Sequence, residues 1–281
     1  MNIVVVSELG GGNGHLGIIT PIILELKKQG HLVSVITKFI SKDFDTIPSP
    51  PIPYRQRDVN TYLDFLDKFS WNSLSIKESI LQEYYKCFSR IEPDLIIVEH
   101  SPYGNLAANN VGIPVVLIGT GYSIPPDYPL DSVKHIITSF MELDHYGPRD
   151  MFYSGNYEEL YSTSETIIED EFLYIPDPKK YGRKINSIYN NHIPKICVSH
   201  GLGTIVHFLL LGVPCKYFQL GRRDTLLLEK KIKEYSLDTI EGAKKFQEKY
   251  KHYNKQEAVK QIVLEIINAY PKNTISRTNN N

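Results

Sequence analysis

Gly10-Gly11-Gly12-Asn13-Gly14-His15 follows the apolar run 3–6 after only Ser7, Glu8 and Leu9. A glycine-rich turn between a strand and a helix aims free backbone N–H groups at one point, which makes an anion site. The same glycines also allow a tight turn that only lets helix and strand pack closely. His15 stands at the helix start, where the positive helix end disfavours its protonation. A neutral imidazole there can take the proton of a hydroxyl, or it can serve only in local hydrogen bonds. Glu99 closes a second apolar run, 95–98, on the same carboxyl edge of the inferred sheet. Ligands of open α/β sheets sit at that edge. A carboxylate there can fix the tautomer of His15, or it can be a solvent-exposed strand-end acid.

Two better-known glycine motifs fit less well. Gly12-Asn13-Gly14-His15-Leu16-Gly17 matches the G-x-G-x-x-G dinucleotide pattern. Three residues separate strand and loop, however, and the second strand ends Val35-Ile36-Thr37-Lys38, without the acid that would bind a ribose. An NAD-dependent Rossmann enzyme therefore stays a distant alternative. A P-loop is excluded, because no Gly-Lys-Ser/Thr follows.

The elements that must hold these residues read as alternating strands and helices. Run 3–6, the helical spacing 16–26, Gly30 and run 32–37 form a βαβ unit. Helix 76–91, strand 95–98, helix 103–111 and strand 115–118 continue it, so the chain is an α/β layer fold. The stretches 48–60 and 121–131 read as surface loops. Beyond Tyr157 the rhythm weakens. A short strand 172–175 and a clearer one at 195–199 precede helix 205–211. Strand 213–218 and helices 226–235 and 258–269 follow, and 271–281 reads as a mobile tail.

Composition narrows the classes further. The 281 residues carry 31 Lys+Arg against 32 Asp+Glu, a net charge of -1, without the basic surplus of a nucleic-acid binder. Cys87, Cys197 and Cys215 form neither a metal spacing nor an even disulfide framework, which suits a reduced, cytoplasmic protein. The start lacks a basic n-region, and no apolar run approaches the ~20 residues that span a bilayer.

Taken together, residues 5–16 and 24–33 resemble the N-terminal half of GT-B glycosyltransferases, in particular the UDP-glycosyltransferase and MurG-like group. Pro93 to Pro102 (PDLIIVEHSP) is similar to their strand carrying the His-orienting acid, and GTGYSIPPDYP and ELDHYGPR resemble segments of bacterial members. Val198-Ser199-His200-Gly201-Leu202-Gly203-Thr204 with Leu211-Gly212-Val213-Pro214 resembles their donor-binding signature.

The resemblance implies a GT-B-like α/β fold of two Rossmann-like domains. These are an acceptor-side domain over 1–157 and a donor-side domain over 158–270. It implies transfer of a sugar from a nucleotide-diphosphate sugar, UDP-linked, to a hydroxyl acceptor, with no metal and no further cofactor. His15 would be the base and Glu99 its support. His200, Gly201, Gly203 and Thr204 would cradle the diphosphate, Asp224 would reach the sugar, and Gly11, Gly12, Asn13 and Gly14 would form a phosphate or acceptor loop.

The chain departs from the family in two ways. His207 stands where the signature continues to Glu, and the Gln after the sugar-contacting acid is missing. Between Tyr161 and Lys195 there is room for about one βα unit, at roughly 30 residues each, where the family has several. The expected C-terminal domain is therefore reduced, with a sheet edge that a partner chain or self-association would cover. The alternative function is a catalytically degenerate binding or partner subunit.

Overall fold

The computed structural model describes residues 1–9, 13–54, 61–157, 161–162, 167–169, 172–174, 183–184, 195–199, 201–217 and 223–270. The expected tail 271–281 lies outside them.

The first half is a parallel sheet wound on both faces. Its strands are β1 (Asn2–Ser7), β2 (Leu32–Thr37), β3 (Ile47–Pro48), β4 (Leu95–Glu99), β5 (Val115–Gly119), β6 (Lys134–Ile137) and β7 (Phe152–Tyr153). They lie in the order β3-β2-β1-β4-β5-β6-β7, every neighbouring pair parallel. The unbroken apolar runs of β1, β4 and β5 follow from burial on both faces. In β1, Ile3 and Val5 point to one core, which includes α1 (Asn13–Lys28). Val4 and Val6 point to the other, which includes α3 (Leu74–Ile91) and α4 (Pro102–Asn110). Glu92 ends α3 in the left-handed conformation (φ 51°), and Pro93 follows it.

Several elements differ from the sequence expectation. A short helix α2 (Tyr62–Asp67) is set by a capping box between Thr61 and Asp64. The stretch 48–60 opens on the end of β3, and its residues 55–60 lie outside the description. The stretch 121–131 is not a surface loop throughout. Gly121, Ser123 and Ile124 are buried, because Arg149 Nη1 donates to the Ile124 carbonyl at 2.6 Å and Ser123 Oγ to that of Thr120.

The second half has a smaller sheet. β9 (Ile167–Glu169), β10 (Phe172–Tyr174), β12 (Ile196–Ser199) and β13 (Cys215–Tyr217) lie in the order β13-β12-β10-β9, with only β9 antiparallel. Tyr161–Ser162 (β8) and Arg183–Lys184 (β11) form a separate antiparallel pair. Four helices follow among the described residues: α5 (Leu202–Leu210), α6 (Arg223–Glu234), α7 (Ile240–Lys249) and α8 (Lys255–Ala269). A mixed α/β architecture with a full first sheet and a much smaller second one is the fold class expected from sequence.

The halves are sewn together twice. Phe140, from the turn after β6, enters the second core, 4.2 Å from the Tyr250 ring and 5.2 Å from that of Phe246. Glu142 accepts a hydrogen bond from the Tyr250 hydroxyl at 2.6 Å and pairs with Lys249. The chain then returns. Ala258, Val259, Ile262, Val263 and Ile266 of α8 lie in the same core as Ile18, Ile19, Ile22 and Ile23 of α1.

Candidate active site

Strand order reverses between β1 and β4, so a crevice opens at their carboxyl ends. Side-chain parity decides what faces it. Ser7 lies two residues beyond Val5, and Glu99 two beyond Ile97, so both aim toward the α1 face. His15 is in the first turn of α1, directly above them.

The three residues make one relay. His15 Nδ1 lies 2.8 Å from Glu99 Oε1 and 3.0 Å from Oε2, and Ser7 Oγ donates to Oε2 at 2.7 Å. Glu99 is 1% exposed, so it is not a solvent-exposed strand-end acid. Burial pushes its carboxyl up. The histidines His15 and His100 and the Ser7 hydrogen bond outweigh that and hold it below the usual carboxylate range. An ionised Glu99 can only accept, so His15 donates to it from Nδ1. His15 remains 23% exposed, within reach of a ligand. Phe39 stacks at 6.2 Å on His15, and His100 at 5.4 Å.

Three further titratable groups are not singled out by the sequence, Glu8 and His145 buried and His100 half-buried. Glu8 points to the opposite face, by the same parity as Val4 and Val6. There it accepts from the Tyr103 amide at 2.7 Å, at the start of α4, and from the Tyr84 hydroxyl. Burial raises its carboxyl to about 7, against those hydrogen bonds. His100, next after Glu99, adopts a left-handed backbone (φ 48°), and its carbonyl accepts from the Leu9 amide at 3.1 Å. Burial, with the charge of His15, pushes it down to about 4. Burial does the same to His145, which lies 5.8 Å from the Tyr122 ring. The alternation of β1 was a signal that could have found Glu8. Nothing local announces His100 or His145.

The second-half candidates gather at two helix starts. Gly201 caps α5, Ser199 Oγ accepts its amide at 3.1 Å, and Gly203 and Thr204 follow in the first turn, Thr204 buried. Gly201 has φ -94°, and a Cβ there would meet only Thr204 Oγ1 at 3.5 Å and Ser199 Oγ at 3.8 Å. The fold itself therefore does not demand glycine at 201. Asp224 lies in the first turn of α6, close enough that its charge acts on both His100 and His145. His207 is half-buried, its ring 5.2 Å from that of Phe208. Gly14, at the start of α1, is exposed. Gly11, Gly12, the Asn13 side chain and His200 lie outside the described residues. Among the described residues no group of three or more His, Cys, Asp or Glu could hold a metal ion. None of their helices is long and apolar enough to cross a membrane.

No family model matches the sequence, and no curated protein sequence matches it. Solved structures do match. The glycosyltransferase VinC, in complex with dTDP, superposes with a TM-score of 0.62 at 12% identity, over 96% of this chain and 99% of that one. The chain has the GT-B fold. The spinosyn rhamnosyltransferase SpnG, complexed with thymidine diphosphate, gives 0.58 at 12% identity, over 96% and 97%. MurG of Acinetobacter baumannii gives 0.57 at 12%, over 95% and 100%. At such identities the likeness is one of fold, shared with several nucleotide-sugar glycosyltransferases.

Proposed function

We propose that the chain is a glycosyltransferase, cytoplasmic and metal-independent, that moves a sugar from a nucleotide-diphosphate sugar to a hydroxyl acceptor. The observation that carries this is the Ser7–Glu99–His15 relay at the strand-order reversal of a GT-B fold. His15 Nε2 takes the acceptor's hydroxyl proton. The freed oxygen forms a bond to the anomeric carbon while the bond from that carbon to the diphosphate breaks, its electron pair leaving with the phosphate. Glu99 stabilises the imidazolium that results. The leaving charge falls to the amides of Gly203 and Thr204 at the start of α5, together with His200, while Gly201 leaves room for the phosphate to approach. Asp224 holds sugar hydroxyls. Gly11, Gly12, Asn13 and Gly14 flank the acceptor. Residues 1–157 form the acceptor side and 158–270 the donor side. Two of the structures sharing the fold hold thymidine diphosphate, which supports a nucleoside diphosphate as ligand, UDP in the first instance.

The second reading, a degenerate binding or partner subunit, draws support from the four-stranded second sheet and from His207. One screen separates the two. A nucleotide sugar at 100 times its dissociation constant stabilises the fold by about 2.7 kcal/mol. Stabilisation by one of the UDP, dTDP or GDP sugars supports the transferase. No shift with any of them at millimolar concentration favours the partner subunit.

A further inference from the structure

The ring of His100 lies between those of His15, at 5.4 Å, and Phe65, at 5.2 Å and nearly parallel (11°). Phe39 stacks on His15 in turn, at 6.2 Å, so four flat rings pack one against another. Both ring nitrogens of His100 are closed off from solvent, and neither has a hydrogen-bond partner. A neutral imidazole always carries one donor and one acceptor, so both are orphaned here. Buried polar atoms of native proteins are almost always partnered, and an exception calls for an explanation. The backbone of His100 has one already, because its carbonyl ties the end of β4 to Leu9 ahead of the glycine turn. Its side chain has none. A phenylalanine would fill the same space among these rings without two unmet hydrogen bonds.

We propose that His100 is a specificity residue whose ring nitrogens take up a second hydrogen-bonding group of the acceptor, beside the hydroxyl that His15 deprotonates. This rests on the transferase reading of the relay. Phe65, packed parallel on His100, is half-buried, and the two rings must shift together before the edge of the imidazole, where its nitrogens lie, meets an incoming ligand. Side-chain rearrangement of this kind is common on binding.

Phenol and resorcinol are the probes, because they share one flat ring and differ by one hydroxyl. Ligand-observed NMR gives their affinities for the native protein and for His100→Phe, which keeps the ring packing. The native protein is expected to bind resorcinol about threefold or more tighter than phenol, the gain of one ordinary hydrogen bond, and His100→Phe to lose that preference. In native protein with labelled histidine, the His100 ring-nitrogen signals are expected to move with resorcinol and stay with phenol. That second reading holds even where the variant does not fold. Equal affinities in the native protein, a preference unchanged in His100→Phe, unmoved His100 signals, or no binding of either probe at millimolar concentration overturns the proposal. The nucleotide-sugar screen reports separately on the transferase reading, so the two can fail independently.

Discussion

In the first half of the molecule the candidate site residues are also folding residues, whereas in the second half Gly201 is free of the core, although Thr204 beside it is buried. Glu99 is buried among Ser7 and His15, and Glu8 ties Tyr84 to the start of α4. Removing either acid leaves buried groups without partners. Gly201 is the contrast, because a side chain there meets only ordinary contacts. A seven-stranded parallel sheet whose central strands β1, β4 and β5 are buried on both faces can hold a charged relay rigidly. Four short strands with a helix start at their edge present backbone amides instead, and these need little support beyond the helix. Folding and chemistry are thus coupled in one half and separable in the other.

The largest effect tests how far the first half depends on buried charge. Asp144 receives Arg149 Nε at 2.9 Å and the Tyr153 hydroxyl at 2.7 Å, and its side chain is 0% exposed. Asp144→Ala strands the guanidinium and should cost about 3–5 kcal/mol in urea unfolding. A loss below 1 kcal/mol would show that water replaces the pair.

Glu8→Gln comes next, and its signature is in the pH dependence. A carboxyl raised to about 7 binds its proton more tightly folded than unfolded. Its contribution is present below the ordinary value of 4.5 and is lost as pH rises through 7. Relative to the native protein, the variant should therefore gain stability between pH 4.5 and 7.5, by on the order of 3 kcal/mol. His100 and His145, both pushed down to about 4, act in the opposite sense, but they are common to both proteins and cancel in the difference. A flat difference would place Glu8 in contact with water.

Glu99→Ala should lower stability by about 1–3 kcal/mol, because Ser7 and His15 lose a shared acceptor. Gly201→Ser should change stability by less than about 0.5 kcal/mol, since serine caps a helix as well as glycine does. Its nucleotide affinity should fall nonetheless, because the new side chain occupies the approach to the amides. Affinity unchanged in Gly201→Ser would move the donor away from α5 and erase the contrast between the halves.

Much of this frame was legible in the residues. The apolar runs of β1, β4 and β5 gave the buried strands, and the approach of Glu99 to His15 follows from alternation in β4. Helix α2, set by the capping pair Thr61 and Asp64, is only six residues long, too short to show a periodic apolar pattern. Other elements depend on what they pack against. In α7 the buried residues are Gly242, Ala243 and Phe246, too few for a periodic signal. The apolar stripe of α8 predicts a helix but not that it crosses back to α1. The burial of Gly121, Ser123 and Ile124 involves Arg149, which arrives from elsewhere in the chain. His100 takes its place from Phe65 and His15 together, and no local pattern encodes that meeting.

The central claim is that the base and the donor site belong to different halves, and His15→Ala tests it most directly. Turnover and nucleotide affinity are measured on the same preparation, with the nucleotide sugar that stabilises the native protein. The relay acts only when the acceptor hydroxyl loses its proton. Turnover should therefore fall by about 10²–10⁴-fold, while the dissociation constant of the nucleotide stays within about twofold. Retained turnover, or a loss of nucleotide binding as large as the loss of turnover, would contradict the account.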